Sequence, residues 1–350
     1  MPAPAAAGRS AAGRGSQDPS SRGIAVSAVA PLIEIRDLAR TFGGGRTIFG
    51  TRKPQLTALR GVSLDLVQGE TLGIVGESGC GKSTLARMLV GLERPTSGAI
   101  RLDGEDLSSS GTKALARRVQ YVFQDPVSSL NPRQTIREIL EAPMRHLLGL
   151  GRAEREARLK KLVDDVNLRP EFLERYPHEF SGGQAQRIGI ARALAAEPDV
   201  VVLDEPVSAL DVSVQAQVLN LLDRLKRERG LTYVFISHDL AVVESVATRV
   251  AVMYFGAVVE TAPARKMFQA PLHPYTKLLI DSAPVPNRKR ERPAGDTGEL
   301  PDPYDPPPGC PFAARCPRVE ADCREAMPPL DVKDLGEGHR AACIHPLSRQ

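Results

Sequence analysis

The chain has no tryptophan, only 4% aromatic residues, and five cysteines in 350 positions. It also has no run approaching the ~18 apolar residues of a membrane span, so an integral helical membrane protein is not expected. Net charge is +4, too slight an excess to argue for nucleic acid on its own. The opening "MPAPAAAGRSAAGRGSQDPSSRG" is rich in Ala, Gly, Ser and Pro and is broken by Arg. It lacks the continuous apolar stretch of a secretory signal, so secretion is not expected. Residues 1–30 read as a disordered arm. A reducing compartment disfavours structural disulfides, yet four of the five cysteines crowd into the last 41 residues.

What is present is a soluble globular composition, with 42% hydrophobic and 25% charged residues. The length allows one large domain or two modest ones. "PLIEIRDL" (31–38) alternates apolar and polar residues as a half-buried strand does. "SLDLVQGETLGIVG" (63–76) predicts two strands around a Gly-Glu turn, and "KSTLARMLVGL" has helical spacing. The stretch 135–175 reads as helices. "DVVVLDEP" and "LTYVFISHD" are short apolar runs of the buried parallel-strand kind. "TRVAVMYFGAVVET" (248–261) predicts a hairpin turning at Gly256. Beyond Pro271 the chain turns Pro-rich, with a basic patch "NRKRER" (287–292) that reads as a solvated linker. Strands alternating with helices predict an α/β core with a mostly parallel sheet.

"GESGCGKST" (76–84) matches G-x-x-x-x-G-K-[ST] between a strand and a helix, the context this phosphate-binding loop requires. Gly76, Gly79 and Gly81 let backbone N–H groups turn inward around phosphates, and the helix start adds a favourable dipole. Glu77, Ser78, Cys80 and Thr84 complete the cradle. Lys82 reaches the β- and γ-phosphates, and Ser83 is the candidate Mg²⁺ ligand. Cys80 reads as a small residue filling a tight turn; a helix N-terminus lowers a thiol's pKa, which is the argument for a reactive alternative. At the end of "VVVLDE" (200–205), Asp204 points toward Mg²⁺ and Glu205 is placed to orient or deprotonate an attacking water.

A second anion-binding helix start follows the first motif. "SGGQAQRIGIARAL" (181–194) has Ser181 as N-cap and Gly182 and Gly183 opening the backbone. The surplus makes sense if Ser181–Gln184 faces a nucleotide held by another copy. Here the chain resembles the ATP-binding cassette (ABC) ATPases, whose signature begins Ser-Gly-Gly-Gln. The resemblance rests on the order of phosphate loop, Gln124, signature, Asp204-Glu205, "SALD" (208–211) and His238. It implies the P-loop ABC ATPase fold: a RecA-like core, an antiparallel β subdomain and a helical subdomain. It also implies that Gln124 senses Mg²⁺ and the attacking water, that His238 contacts the γ-phosphate, and that Asp211 lies at a dimer seam. Phe42 is the implied adenine-stacking residue; the insertion "GGGRTIFGTRKP" makes Phe49 a competitor. Position 185 is Ala where the signature commonly has Arg, which would remove a guanidinium near the dimer face.

"FQDPVSSLNPRQTIREIL" (123–140), "RYPHEFSGGQ" (175–184), "DEPVSALDVSVQAQVLNLL" (204–222) and "HPYTKLLIDSAP" (273–284) narrow the resemblance. They resemble ATPase subunits of dipeptide and oligopeptide importers, including relatives that carry nickel, and within them the F-type member of a pair. The implied domains are an ABC nucleotide-binding domain over 31–265, with helical subdomain about 127–195, and an importer-type extension over 266–350. The implied cofactors are ATP and Mg²⁺. The implied partners are two permease subunits, a second paralogous ATPase (a homodimer is the alternative) and, indirectly, an external solute-binding protein. The implied location is the cytoplasmic face of the cell membrane. A groove at Ser129, Leu130 and Pro132 is where such a protein would receive a permease helix. The runner-up class is an ABC ATPase of DNA repair or ribosomes, but the stretch from Gln124 to Ser181 is too short for a repair-type coiled coil.

Cys310, Cys316, Cys323 and Cys343 are spaced C-x5-C-x6-C-x19-C. Structural zinc suits four thiolates, though the usual paired C-x2-4-C spacing is absent. A [4Fe–4S] cluster also takes four thiolates and tolerates irregular loops. The resembling family has the same four-cysteine tail, and a cluster is what that resemblance implies; zinc is next and free thiols last.

Overall fold

The computed structural model describes residue 1 and residues 30–44, 54–107, 111–283, 300–330, 333–334 and 338–347. The expected N-terminal arm, Phe49 and the basic patch 287–292 lie outside the described residues, apart from the arm's two ends.

Strand β1 (Ile33–Gly43) begins with the expected alternation, burying Ile33 and Ile35. Strict alternation would next bury Asp37. A register irregularity between Ile35 and Leu38 turns Leu38 inward instead, and Asp37 sits at φ 46°. Strand β2 (Gln55–Leu66) pairs antiparallel with β1, and the chain then turns into β3 (Thr71–Val75). Helix α1 (Lys82–Leu89) follows, then β4 (Ser97–Leu102) and β5 (Glu105–Asp106). These complete a four-stranded sheet of order β2-β1-β4-β5.

Helix α2 (Thr112–Arg118) leads into β6 (Val119–Val122). Three helices come next: α3 (Ile136–His146), α4 (Arg152–Asp165) and α5 (Gly182–Leu194). Thr135 starts α3 through a capping box with Glu138, which satisfies two otherwise open N–H groups. Ile136, Ile139 and Leu140 of α3 are buried in one apolar cluster with Leu159 and Leu162 of α4 and Ile188 of α5.

The remainder alternates β7 (Val200–Asp204), α6 (Val212–Arg229), β8 (Thr232–Ile236), α7 (Leu240–Val246), β9 (Arg249–Tyr254) and β10 (Ala257–Pro263). Every residue of β3, β7 and β8 is buried, which is why these strands read as unbroken apolar runs. β9, β3, β8, β7 and β6 lie parallel in that order, and β10 closes on β9 as the predicted hairpin.

The tail adds α8 (Ala264–Gln269), α9 (Pro274–Ser282), β11 (Lys333–Asp334) and β12 (Arg340–Ala341). β12 pairs antiparallel with β10, joining Ala341 to Glu260. Glu260 is fully buried and accepts from the N–H groups of Leu272 and His273 at 2.8 and 2.9 Å, and bonds His339 Nε2 at 2.8 Å. One buried carboxylate thus fastens three points of the tail to the sheet. Among the described residues, no helix is long and apolar enough to cross a membrane.

Candidate active site

The phosphate loop joins β3 to α1 at the end of the parallel sheet, where a helix N-terminus faces open space. Gly76 adopts φ 153°, and a Cβ there would meet Met253 O at 2.1 Å and Cys80 Sγ at 2.8 Å. Only glycine lets the loop pass so close to β9. Gly81 caps α1 in the left-handed region with no side-chain cap, so the first N–H groups of the helix have no side-chain partner. Lys82 is buried; its Nζ donates to Gly76 O at 2.7 Å and to Glu77 O at 3.0 Å. The ammonium is thereby held by two loop carbonyls at the start of α1, where a cation is complementary to phosphate.

Asp204 ends β7, 5% exposed. Ser83 Oγ donates to its Oδ1 at 3.4 Å and Tyr121 OH to its Oδ2 at 2.5 Å. Burial, and then the Asp204 carboxylate, push the Tyr121 phenol well above its ordinary range, so it stays a donor. Glu205 sits at φ 48°, a strained backbone for a non-glycine residue. Its N–H donates to Ile236 O at 2.9 Å, which holds the strained turn against β8. Gln124 Nε2 donates to Glu205 Oε2 at 2.8 Å, and His238 Nδ1 lies 3.1 Å from Oε1. One carboxylate is therefore gripped from both sides beside the Ser83–Asp204 pair.

Ser83, Gln124, Glu205 and His238 share one cavity of about 590 Å³, within the ~300–1,000 Å³ of small-molecule sites, while Asp204 lies behind Ser83 and does not line it. Phe42, Ser78, Lys82, Gln124, Glu205 and His238 all line it, as do Gly79, Gly81, Ser83 and Thr84. Phe42 stands at the rim with the Arg40 guanidinium 4.5 Å over its ring. Two loop residues turn elsewhere. Cys80 is buried, and burial pushes its thiol up despite Lys82, so the lowered pKa that a helix start would give is not found. The Glu77 carboxylate points to the tail, where it meets Arg315.

The signature residues Ser181, Gly182, Gly183 and Gln184 do not line this cavity, and neither does Asp211. Ser181 is an exposed N-cap of α5 in a reciprocal box with Gln184. A Cβ on Gly183 would meet Val214 Cγ1 at 2.5 Å, so α5 starts hard against α6. Asp211 is the exposed N-cap of α6, and its side chain makes no capping bond. Ala185, in the first turn of α5, is fully buried. Leu130 is also buried, at 2%, so the groove expected at Ser129, Leu130 and Pro132 exposes Pro132 and Val127 but not Leu130.

In the tail, Cys310, Cys316, Cys323 and Cys343 are all free and line one cavity between short 3₁₀ turns. Burial pushes the Cys310 and Cys316 thiols up, and the Cys343 thiol to about 11. His273 lines the same cavity. Its Nδ1 accepts from Tyr275 N–H at 3.1 Å, so the proton of the neutral ring belongs on Nε2. Burial pushes His273 down to about 4, and its buried Nε2 has no partner among the described residues. Tyr121, Tyr275 and Arg315 were not singled out by sequence reasoning, although "HPY" and "CPFAARCP" contain the last two. Nothing local connects those stretches to the phosphate loop.

A helical block beside a parallel sheet, an antiparallel sheet and this phosphate site define an ABC-type ATPase. The model of the ABC transporter family matches residues 59–208. That of the oligopeptide/dipeptide transporter C-terminal region matches residues 259–323. The oligopeptide transport ATP-binding protein AppF of Bacillus subtilis (strain 168) is 46% identical over 89% of this chain and 96% of its own. The dipeptide transport ATP-binding protein DppF of Haemophilus influenzae is 49% identical over 90% and 97%. The oligopeptide transport ATP-binding protein OppF of Salmonella typhimurium is 48% identical over 86% and 92%. Among solved structures, a dimeric ATP-binding cassette in a post-hydrolysis state with ADP and Pi superposes with TM-score 0.59 at 29% identity, over 67% of this chain and 99% of that one. A Clostridium perfringens protein that is part of an ABC transporter complex gives 0.58 at 27%, over 69% and 91%. The chain belongs to the oligopeptide and dipeptide transport ATP-binding proteins of the ABC transporter family.

Proposed function

We propose that this chain hydrolyses ATP to energise uptake of di- or oligopeptides across the cytoplasmic membrane. The observation that carries the chemistry is Glu205, gripped by Gln124 and His238 next to Ser83 and Asp204. Lys82 and the loop N–H groups hold the β- and γ-phosphates. Phe42 stacks on adenine. Glu205 takes a proton from the attacking water or orients it, and His238 holds the γ-phosphate side of that water in place. Ser83, Gln124 and Asp204 offer the hard oxygen donors that suit Mg²⁺, which when bound neutralises charge on the phosphate oxygens. Catalysis of this kind is positioning plus electrostatics.

The site is half of a pair. Ser181–Gln184 and Asp211 lie outside the cavity and on the surface, which suits a second nucleotide held by a facing ATPase. The partner is a similar but distinct ATPase subunit. Two permease subunits dock near the loop 125–134, where Val127 and Pro132 are exposed, and this seats the chain on the inner face of the membrane. An external solute-binding protein supplies the peptide.

The donor set of the tail fits a [4Fe–4S] cluster better than zinc. Tetrahedral zinc draws its thiolates to about 3.8 Å of one another, as follows from a Zn–S distance near 2.3 Å. Among the described residues no three of these thiols lie mutually within 4.8 Å. The donors that do are Asp322, Cys323 and His345, which is where zinc would sit instead. His273, whose Nε2 has no partner among the described residues, lines the thiol cavity, and a cluster's sulfur would be a fitting acceptor for its N–H. Cys310, Cys316, Cys323 and Cys343 would hold the cluster, whose contribution is a cross-link between otherwise short turns.

The test of the whole reading is copurification with the permeases, followed by reconstitution. ATPase activity that rises when peptide-loaded binding protein is added supports peptide import. Activity that never responds to peptide, with uptake of another solute, refutes that substrate.

A further inference from the structure

We propose that Arg315, from the cysteine tail, is a positioning residue for the phosphate loop, acting through Glu77. Arg315 closes the 3₁₀ turn Ala313–Arg315, between Cys310 and Cys316. Its Nη1 and Nη2 donate to Glu77 Oε2 and Oε1 at 2.9 and 2.8 Å, a two-pronged ion pair across 238 positions of sequence. The Arg315 side chain is 10% exposed and that of Glu77 27%, so the pair is partly shielded from solvent. Nη1 also reaches Tyr254 OH at 3.3 Å, and the guanidinium lies 5.9 Å from the Tyr254 ring and 5.7 Å from that of Phe312. Tyr254, Tyr275 and Phe312 are buried at 0–1% and pack ring on ring at 4.5–5.5 Å.

Glu77 is held at three points. Arg315 takes its carboxylate, Tyr275 OH accepts from its N–H at 2.9 Å, and its carbonyl accepts from Lys82 Nζ at 3.0 Å. Two of these three props come from beyond β10. They act on the loop that must receive a triphosphate, and they answer two needs. The aromatic wall fixes the loop's backbone at its first turn. The guanidinium holds the Glu77 carboxylate toward the tail and neutralises a negative charge on the loop that receives the phosphates. A two-pronged geometry requires arginine, since an ammonium cannot make both bonds in one plane. Disorder in the cysteine tail would therefore reach the nucleotide as a displaced loop and a freed negative charge.

The inference rests on the ATP-site reading, and nucleotide affinity separates the two. In the full chain, titration with a fluorescent ATP analogue should give a Kd raised about tenfold by Arg315→Ala, as expected for a partly shielded charge pair broken on one side. KM should rise with it while kcat at saturating ATP stays near wild type. Arg315→Lys should fall between. The double variant Glu77→Ala/Arg315→Ala should return to within about threefold of wild type, because the unpaired carboxylate is gone. If Arg315→Ala does not fold by thermal melting, Tyr275→Phe tests the other prop by deleting one oxygen, and should raise Kd several-fold. Wild-type Kd and KM in folded Arg315→Ala, or strictly additive effects of the Glu77 and Arg315 changes, would overturn the proposal. Failure of the wild-type chain to bind nucleotide at all would sink the ATP reading along with it.

Discussion

Glu205→Gln isolates the chemistry from the binding. The substitution keeps the length and shape of the side chain and removes the charge. Its amide oxygen can still accept from Gln124 Nε2, which lies 2.8 Å from Glu205 Oε2. Its NH₂ can face His238 Nδ1, 3.1 Å from Oε1, once that nitrogen is unprotonated. The backbone strain at φ 48° is the same for either residue. The ground state is therefore preserved, and ATP affinity should change little. What is lost is the base for the attacking water. A positioned general base contributes about 10²–10⁴-fold, so kcat should fall by that factor. At 1.36 kcal/mol per decade that is roughly 3–5 kcal/mol of transition-state stabilisation. Phosphate release from the assembled transporter measures the rate, and nucleotide titration measures the binding. ATP should also trap a closed dimer, visible by light scattering. Lys82→Ala should do the converse and raise Kd, since Lys82 is the only buried cation among the described residues. A Glu205→Gln transporter that turns over within about tenfold of wild type would remove Glu205 from the role of base.

Three further outcomes follow from the geometry. Ser181→Ala removes an exposed cap worth about 1 kcal/mol, so the chain should stay folded, yet hydrolysis should fail at the site whose phosphate loop belongs to the partner ATPase. Full activity of this chain with permeases alone would show that a homodimer suffices. Leu130→Ala should cost about 2–5 kcal/mol in chemical denaturation because the side chain is buried, whereas crosslinkers at exposed Val127 and Pro132 should reach a permease; labels there that never do so would refute that docking face. Anaerobically purified protein should be brown, with about four iron atoms per chain, as a cubane requires. Colourless protein with about one zinc would exchange the cluster for zinc.

The legible parts of this protein are those whose physics is contiguous in sequence. Gly76–Thr84 needs its glycines, lysine and hydroxyl within nine positions, so a strand and a helix on either side were enough to place it. β7 and β8 are legible because both faces are covered, and Ser181 because a serine before two glycines and an apolar helix is a local N-cap pattern. Illegible features depend on what lies opposite. The shift that spares Asp37 from burial arises from pairing with β2, and no pattern within "PLIEIRDL" foretells it. Ala185 and Leu130 sit in stretches that look like surface motifs. Their burial depends on how α5 and the loop before α3 seat against neighbours far away in sequence. Cys80 shows the same limit in its electrostatics: the helix start is local, while the burial that outweighs it comes from β9 closing over the loop.

The tail is where local and distant terms meet. Between Leu300 and Leu347 the described elements are 3₁₀ turns and two-residue strands, too short to hold themselves by backbone hydrogen bonding. Yet this segment contributes Phe312, 1% exposed, and Arg315 to the wall behind the phosphate loop. Ordering it has an entropic cost that its few apolar contacts offset poorly. One anchor is seen in the fold, and the proposed metal group would be a second. At one end, Glu260 receives His339 while β12 pairs with β10. At the other, four thiols converge on one cavity, and a metal group bound there would convert its binding free energy into order. On the proposed reading, the cysteines crowd into this segment because a group bound to them would order it. Its order matters to the ATPase because Arg315 stands between two of them.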